Sequence, residues 1–535
     1  MSSMLFLLLL NILTTLVYPQ SQGDSITVHL PFGSVKGYSN GDSWQFYRIP
    51  FAAPPIGNLR WAPPSNFTAW SGDTLDAKYP PPACIQKCLL APNFCAANMS
   101  EDCLYINIFI PLSWRPESKK DYNILLYIHG GSFTKGTSGC LIFDSRYFSK
   151  FAESVIVTFN YRLGALGFLR HPQYEIYGNM GFRDQIMAMQ WVKDYISYFG
   201  GKGKTTLFGE SAGAISVAAH LQSPSSHGLF DNIIIESDPW TVPLRNTIDA
   251  TYLGKQFMNE LGCSDKSCLY TKSSSEILLA QKFMPKSITP NLLLTLLPWS
   301  PIIDDIYLTK QPYRYIMDIA DGNILPPAII GGTTDEGYLF IKREETASPI
   351  KGQAFYYEKL LETFPLTYLY VIGVYNSVYG QPTDYIDRLS LIMGDYLFLC
   401  PTRHLVATIS KGRQKDIWSY LWHRGETYNA TNDACYKRPC HESELPYVFG
   451  SVSLWGQKFT PNDLNLSKQI QTYWKNMANK GNPNTLPIET EQFPVWPRYE
   501  TEDLAQMLFN DPIGRVAYAY RETTCNFLDT IGYDQ

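Results

Sequence analysis

Apolar residues along the chain follow two alternating patterns: short continuous runs, and longer stretches with a helical spacing. The continuous runs predict buried strands, which lie at 104–111, 123–129, 155–161 and 205–208. In 182–198 the apolar side chains recur at helical spacing and predict a helix, and a second helix is predicted at 212–220. This alternation is typical of an α/β protein with a large, mostly parallel or mixed sheet and helices on both faces.

The beginning of the chain has a different hydrophobic pattern. Residues 4–17 are apolar and rich in leucine, but they are fewer than the roughly 20 residues that a membrane span needs. Small and polar residues follow at 21–25, so we expect 1–22 to be a cleaved export signal. A buried N-terminal strand or helix is the alternative. We expect the mature chain, 23–535, to form one large domain without a transmembrane span, beginning with a hairpin at 28–36.

Composition narrows the class of protein. Hydrophobic residues make up 45% of the chain and charged residues 17%, which is typical of a globular protein rather than a disordered one. The formal net charge is −5, and no stretch is rich in lysine and arginine. Proteins that bind a phosphate backbone need such a basic surface, so nucleic acid is not expected as a partner.

Cysteines and glycosylation sequons agree with export. The spacing of the 11 cysteines lacks the Cys-x-x-Cys pairs of structural zinc sites. In an oxidising compartment they are expected to form disulfides, with one thiol left over because the number is odd. The chain also contains four N-glycosylation sequons, at Asn66, Asn98, Asn429 and Asn465. We therefore expect a glycoprotein that is secreted or held in the lumen of a secretory or storage vesicle.

The strongest chemical signal is the Gly-x-Ser-x-Gly sequence around Ser211, which lies between a predicted strand and a predicted helix. A sharp strand-to-helix turn needs small residues on both sides and leaves the serine hydroxyl exposed at the helix start. There the helix N-terminus and the amide of Ala212 can stabilise negative charge. The alternative is an ordinary N-cap serine in a glycine-rich turn. We interpret Ser211 as a candidate nucleophile.

A nucleophilic serine also needs donors for the oxyanion that forms on the substrate. Gly130 and Gly131 follow the predicted strand at 123–129, and residues without side chains let backbone amides approach a reacting carbonyl. A plain turn is the alternative for this pair of glycines. Together with the serine motif, the pair is a candidate oxyanion loop.

The order in such hydrolases is serine, acid, histidine, so the base is sought among the histidines that lie well beyond a candidate acid, which are His404, His423 and His441. His404 lies in a helical pattern and His423 ends a strand-like run, so both are expected to be structural. His441 lies in a polar, loop-like stretch, where functional residues are common. The acid is expected just after the apolar run 328–330, but these patterns do not choose between Asp335 and Glu336.

Longer motifs make the chain resemble the type-B carboxylesterase and cholinesterase family over nearly all of 25–530. In chain order these motifs are FAAPPIG at 51–57 with Leu59 and Arg60, EDCLYIN at 101–107, NYRLGALGF at 160–168, GNMG at 178–181 with Asp184 and Gln185, and FGESAG at 208–213. Among members of the family, secreted esterases of slime moulds are the expected neighbours. The resemblance implies an α/β-hydrolase fold.

The resemblance also assigns roles by motif. It implies Ser211 as nucleophile, Glu336 rather than Asp335 as acid, and His441, three residues before Glu-Leu-Pro-Tyr, as base. The implied oxyanion donors are Gly130, Gly131 and Ala212. The implied cycle attacks a small-molecule ester, passes through an acyl-enzyme and needs neither a metal nor a cofactor.

Disulfides and ion pairs are implied in the same way. The implied disulfides are Cys84–Cys103, Cys263–Cys268 and Cys400–Cys525, with Cys88–Cys95 and Cys435–Cys440 as local additions. By subtraction, Cys140 is the remaining thiol. The pairs Arg60 with Glu101 and Arg162 with Asp184 resemble buried structural ion pairs of the family.

Two departures affect the expected chemistry. Glu442 follows His441 where the family usually has a small residue, so a nearby carboxylate is expected to raise the pKa of the base. Cholinesterases hold a quaternary ammonium over a tryptophan in their first disulfide loop. Here 84–103 contains Phe94 and no tryptophan. We therefore expect a serine esterase of uncharged esters, with a lipase, a cholinesterase or a non-enzymatic adhesion or storage protein as alternatives.

Overall fold

The computed structural model describes residues 24–70, 72, 74–87, 98–282, 293–319, 325–412, 416–425, 427, 435–484 and 493–533. The expected export signal at 1–22 therefore lies outside the described residues. None of the helices within them is both long and apolar enough to cross a membrane.

Seventeen strands are found in the described residues. They are β1 Ser25–Leu30, β2 Gly33–Ser39, β3 Ser43–Pro50, β4 Thr74–Asp76, β5 Tyr105–Pro111, β6 Tyr122–Ile128, β7 Val155–Phe159, β8 Arg170–His171, β9 Ile176–Tyr177, β10 Gly201–Glu210, β11 Asn232–Glu236, β12 Arg245–Asn246, β13 Ile302–Ile303, β14 Ala328–Thr333, β15 Ile417–Trp422, β16 Ala505–Phe509 and β17 Arg515–Tyr518.

Most of the helices follow the strands of the sheet. They are α1 Arg146–Ala152, α2 Gly164–Phe168, α3 Met180–Tyr195, α4 Ala212–Gln222, α5 Thr247–Glu260, α6 Lys266–Thr271, α7 Ser274–Lys282, α8 Leu293–Leu296, α9 Pro312–Ile319, α10 Gly337–Ala347, α11 Gly352–Thr363, α12 Tyr368–Tyr379, α13 Tyr385–Gly394, α14 Cys400–Lys411, α15 Leu445–Phe449, α16 Pro461–Lys480 and α17 Glu522–Ile531. A π-helical turn, Asp395–Leu399, joins α13 to α14.

One large mixed sheet organises the described part of the chain. Twelve of its 13 strands run in the order β1-β2-β3-β5-β7-β6-β10-β11-β14-β15-β16-β17, and the thirteenth, β4, pairs with β2 outside this order. The pairings from β7 through β16 are parallel, whereas the pairings at both ends of that order are antiparallel. The expectation of a mostly parallel, mixed sheet is confirmed, and β1 with β2 form the expected hairpin.

Helices cover both faces of this sheet. In β6, Ile124, Leu126 and Ile128 belong to one hydrophobic cluster, while Leu125 and Tyr127 belong to another. Because successive side chains of a strand point to opposite faces, each cluster is the core on one side of the sheet. A strand buried on both faces reads as a continuous apolar run, which is why the sequence pattern identified the central strands.

Element boundaries differ slightly from the predictions. The strand predicted at 205–208 is longer, since β10 begins at Gly201. The helix predicted at 182–198 begins two residues earlier, at Met180, and its last part is the 3-10 turn Ile196–Phe199. The first half of β10 was missed because Lys202 and Lys204 are exposed there, and a continuous run of apolar residues identifies only the buried part of a strand.

Four of the implied disulfides are present, namely Cys84–Cys103, Cys263–Cys268, Cys400–Cys525 and Cys435–Cys440. The fifth, Cys88–Cys95, lies outside the described residues. Cys140 is buried and takes no part in these disulfides. Asn66, Asn98 and Asn465 are exposed, as glycan attachment requires, and Asn429 lies outside the described residues. Attachment itself stays a prediction.

Candidate active site

Ser211 occupies the sharp turn between β10 and α4. Its backbone has φ 56° and ψ −120°, a conformation that L-residues rarely adopt. The flanking glycines are sterically required. A Cβ on Gly209 would lie 2.6 Å from the Gly213 backbone, and one on Gly213 would lie 2.0 Å from the Ile128 carbonyl oxygen. The motif is therefore the strained strand-to-helix turn that the sequence predicted, and Ser211 lies at the wall of a pocket.

The loop after β6 packs against this turn. A Cβ on Gly130 would lie 3.1 Å from the Ser211 Cβ and 2.7 Å from the Glu210 carbonyl oxygen, so only glycine fits there. Gly131 has φ 105°, and Lys135 Nα and Thr134 Nα both donate to its carbonyl oxygen. The structure thus places Gly130 against the serine turn, and Ala212, the first residue of α4, directly follows Ser211. The role of Gly130, Gly131 and Ala212 as oxyanion donors stays a prediction.

Glu336 and His441 form a short, buried hydrogen bond. His441 Nδ1 donates to Glu336 Oε2 over 2.5 Å, and the other carboxylate oxygen accepts from the Thr333 amide at 2.6 Å. Asp335 points elsewhere and pairs with Arg438 at 2.7 Å. Because only one of the two adjacent carboxylates reaches the imidazole, the geometry resolves the choice that the residue pattern left open.

The other two histidines weighed as bases have different partners. His404 Nδ1 is 2.6 Å from the Tyr313 hydroxyl, and His423 Nδ1 is 2.6 Å from the Thr334 hydroxyl. Both contacts hold neighbouring elements together, which agrees with the structural roles expected for them.

The second nitrogen of His441 faces a carboxylate rather than the serine. His441 Nε2 lies 3.1 Å from Glu210 Oε1, and within the described residues neither atom has a hydrogen-bond partner. Phe340 and Phe398 pack on the imidazole, with ring centroids 4.9 and 5.2 Å away. These two phenylalanine rings therefore shield the His441 imidazole from water, and only its two nitrogens make polar contacts.

Buried glutamates dominate the electrostatics. Burial, and then the charges of Glu442 and Glu444, raise the pKa of Glu210 well above its usual value. Burial and the charge of Glu336 raise the pKa of Glu444 to about 8. Burial would lower the pKa of His441, but Glu336, and to a smaller degree Glu442 and Glu444, raise it above its usual value. The expected influence of Glu442 on the base is therefore present, as one contribution among several.

Sequence reasoning assigned no role to Glu444. This residue is fully buried, and its Oε1 accepts from the Ser237 and Tyr420 hydroxyls at 3.3 and 3.4 Å. It lies three residues after His441, within the motif that identified the histidine. A glutamate in an otherwise apolar Leu-Pro-Tyr-Val-Phe context was the available signal, because such residues are rarely buried without a specific partner.

A narrow pocket of about 100 Å³ opens beside Ser211. Its walls are mostly apolar, with Ile215, Val242, Leu297, Ile341 and Leu397 among the lining residues. Besides Ser211, its polar lining residues are Ser132, Glu344, Thr363 and Lys359. The Nζ of Lys359 is 2.6 Å from Glu344 and 2.8 Å from Glu362. A pocket of this kind accepts an uncharged, apolar group next to the serine hydroxyl.

A family model described as the carboxylesterase family matches residues 24–528. The chain belongs to the carboxylesterase family. The large mixed sheet with helices on both faces is thus an α/β-hydrolase fold, and the resemblance read from the motifs is confirmed.

Relatives of this carboxylesterase-family chain cover its full length. It is 33% identical to the cAMP-regulated D2 protein of Dictyostelium discoideum, over 99% of this chain and 98% of the relative. It is also 33% identical to the crystal protein of the same organism, over 95% and 91% of the two chains. The acetylcholinesterase of Bungarus fasciatus is 32% identical over 90% and 82%. The expected similarity to slime-mould members of the family is confirmed.

The ion pairs expected from the family are also present. Arg60 binds Glu101 through two nitrogens at 2.6 and 2.7 Å, and Arg162 binds Asp184 at 2.7 and 2.8 Å. Phe94, on which the contrast with cholinesterases depends, lies outside the described residues. The preference for uncharged esters therefore stays a prediction.

Proposed function

We propose that this protein is a secreted serine esterase, which hydrolyses small carboxylic esters through an acyl-enzyme. The observation that carries the proposal is the convergence of Ser211, in its strained turn, with the buried Glu336–His441 pair and the glycine loop. Four segments far apart in sequence supply these groups. Their convergence beside one apolar pocket supports a reaction site rather than three separate structural features.

In the proposed cycle, His441 takes the proton of Ser211 as the hydroxyl oxygen attacks the ester carbonyl. The alcohol leaves with that proton, and His441 then activates a water molecule that releases the acid. Glu336 holds the Nδ1 proton in place and stabilises the imidazolium that forms between the steps. For these steps His441 Nε2 must form a hydrogen bond with the Ser211 hydroxyl, and catalytic hydrogen bonds of this kind often tighten only when substrate is bound.

The amides of Gly130, Gly131 and Ala212 would stabilise the oxyanion of the tetrahedral intermediate. Donors fixed in advance cost no reorganisation during the reaction, and losing one of them typically lowers turnover by about 10²–10³-fold. The absence of side chains at Gly130 and Gly131 supports this role, since the loop approaches the serine more closely than any larger residue allows.

The apolar pocket supports esters with an uncharged acyl or alcohol group. A quaternary ammonium would lose its hydration on entering, and cation–π attraction to a suitable ring offsets only about 0.5–2 kcal/mol. The lining includes Phe340 and Phe398, but no tryptophan or tyrosine is among the described lining residues. We therefore propose that choline esters are poor substrates.

The non-enzymatic alternative has no comparable support, because all three candidate residues and both glycines are present and assembled. A panel of p-nitrophenyl esters with graded acyl chains tests the proposal, each assayed with and without an organophosphate. We expect hydrolysis that the organophosphate abolishes by labelling Ser211. No turnover of any ester by folded protein would contradict it.

Substrate charge is tested with butyrylthiocholine and an uncharged thioester of the same acyl group. We expect the uncharged ester to have the higher kcat/KM. A tenfold preference for the choline ester, about 1.4 kcal/mol, would overturn this part of the proposal.

A further inference from the structure

Two buried acceptor atoms face each other in the candidate active site. Because the Glu336 carboxylate accepts from His441 Nδ1, the neutral imidazole presents a lone pair at Nε2. That lone pair lies 3.1 Å from Glu210 Oε1, and neither atom has a hydrogen-bond partner in the described part of the chain. The side chains of His441 and Glu210 are 2% and 1% exposed. Such a pair requires either a proton on one of the two atoms or a cation between them.

A third donor lies next to this pair. Glu442 offers a carboxylate oxygen, and one ligand atom from each of Glu210, His441 and Glu442 lies within 4.8 Å of the other two. Glu442 is half-buried, so the cluster reaches solvent on its side. Its φ is 73°, a left-handed conformation in which glycine would be unstrained. The position thus carries a carboxylate even though the backbone favours a residue without a side chain.

We propose that Glu210, His441 and Glu442 form a binding site for a divalent transition-metal ion, and that the bound ion holds the enzyme inactive. One imidazole nitrogen and two carboxylate oxygens suit Zn²⁺ better than Ca²⁺ or Mg²⁺, which take oxygen ligands in larger numbers. Zinc–ligand bonds of about 2.0–2.2 Å place neighbouring ligand atoms roughly 3.4 Å apart, close to the observed 3.1 Å.

The surrounding charges favour a cation. Burial lowers the pKa of His441, but Glu336, Glu442 and Glu444 raise it, as they also raise that of Glu210, so the carboxyl groups around the imidazole favour a proton or a cation there. Burial lowers the pKa of the nearby Lys135, whereas the charges of Glu442 and Glu210 raise it, and this lysine forms no ion pair with either of them in the described residues. The ion would occupy the Nε2 lone pair, so His441 could not accept the Ser211 proton. This consequence rests on the proposed esterase function, whereas the binding itself does not.

The binding test uses the full chain after treatment with EDTA, titrated with ZnCl₂ in a calorimeter. We expect one tight site per chain. Glu442→Gly should weaken it at least tenfold, and Glu442→Gln should do the same while keeping the side-chain length. The matched control is Glu153→Gly, because Glu153 is also an acidic residue with positive φ, 49°, but lies at the exposed end of α1. It should bind Zn²⁺ like the parent.

Thermal unfolding without metal checks that each variant is folded, and glycine should be tolerated at 442 because it suits the left-handed backbone. Equal Zn²⁺ affinity of the parent and Glu442→Gly would overturn the site. In the activity arm, ZnCl₂ should inhibit the parent, and EDTA should restore it. Glu442→Gly should resist inhibition relative to its own metal-free rate, while MgCl₂ should leave both proteins unaffected.

The two proposals fail separately. Zn²⁺ binding that depends on Glu442, in a folded protein that hydrolyses no ester, would confirm the site and contradict the esterase function. Ester hydrolysis that is unchanged at Zn²⁺ concentrations saturating the parent in the calorimeter would contradict the inhibitory role and leave the esterase function in place.

Discussion

Buried carboxylates have a cationic partner in one region of this molecule and lack one in another. In α3, Asp184 is fully buried, but Arg162 binds both of its carboxylate oxygens, so its charge is compensated. Around His441, Glu210 and Glu444 are equally buried, and no arginine or lysine forms an ion pair with them in the described residues. Burial therefore raises the pKa of both glutamates.

This difference separates the scaffold from the site. A paired buried carboxylate stabilises one arrangement of the chain, and removing its partner is strongly destabilising. Buried carboxyl groups without a cationic partner cost stability when they ionise, so their pKa values rise, and they favour a proton or cation on the neighbouring histidine. Mutations in the two regions should therefore act on different quantities, stability in one and chemistry in the other.

The largest effect is expected for Ser211→Ala. Losing the serine of a comparable triad lowers turnover by roughly a millionfold. Stability should not fall, because the Ser211 hydroxyl forms no hydrogen bond within the part of the chain that the structure describes, and the strained backbone remains. Turnover of a p-nitrophenyl ester and thermal unfolding are measured on the same sample. Near-normal turnover by the folded variant would contradict the assignment of Ser211 as the nucleophile.

Glu336→Gln should follow, with a loss of turnover of about 10⁴-fold, since an amide neither stabilises the imidazolium nor holds its tautomer. Asp335→Asn is the matched control, because it changes the adjacent carboxylate, which binds Arg438 instead of His441. Its effect on turnover should be far smaller. If the two variants had equal or reversed effects, the role given to Glu336 would be wrong.

On the scaffold side, Asp184→Asn should lower the free energy of unfolding by about 3–5 kcal/mol, because it leaves the buried Arg162 charge uncompensated. Turnover per folded molecule should stay close to that of the parent. Denaturant unfolding and active-site titration give the two quantities. An unchanged free energy of unfolding together with a loss of turnover would contradict the proposed difference between the two regions.

The smallest effect is expected on the pH profile. Because the base must be neutral, kcat/KM should fall as pH drops through the pKa of His441, which the neighbouring glutamates raise above its usual value despite burial. Glu442→Gln removes one of these charges, so the acidic limb of the profile should move to lower pH. Glu153→Gln, on the surface, should leave it in place. An unmoved limb in Glu442→Gln would show that this charge does not reach the base.

Much of the fold was predictable because its central strands are buried on both faces and so appear as continuous apolar runs. The order of the 13 strands was not, since pairing between distant segments leaves no local pattern. The Gly-x-Ser-x-Gly turn was predictable for a steric reason, because the close approach of Gly213 to Ile128 excludes a side chain. The choice of His441 as the candidate base followed from local context, a loop rather than a helix or strand.

The sequence by itself determined which groups are available: a serine in a strained turn, a glycine pair, a histidine in a loop, and the family to which they belong. Only the tertiary structure decided how they meet. It directs Glu336 towards His441 and Asp335 towards Arg438, although the two acids are neighbours. It also buries Glu210 and Glu444 without cations and places Glu210 against the base. Direction and burial depend on contacts across the whole sheet, which no local pattern of residues encodes.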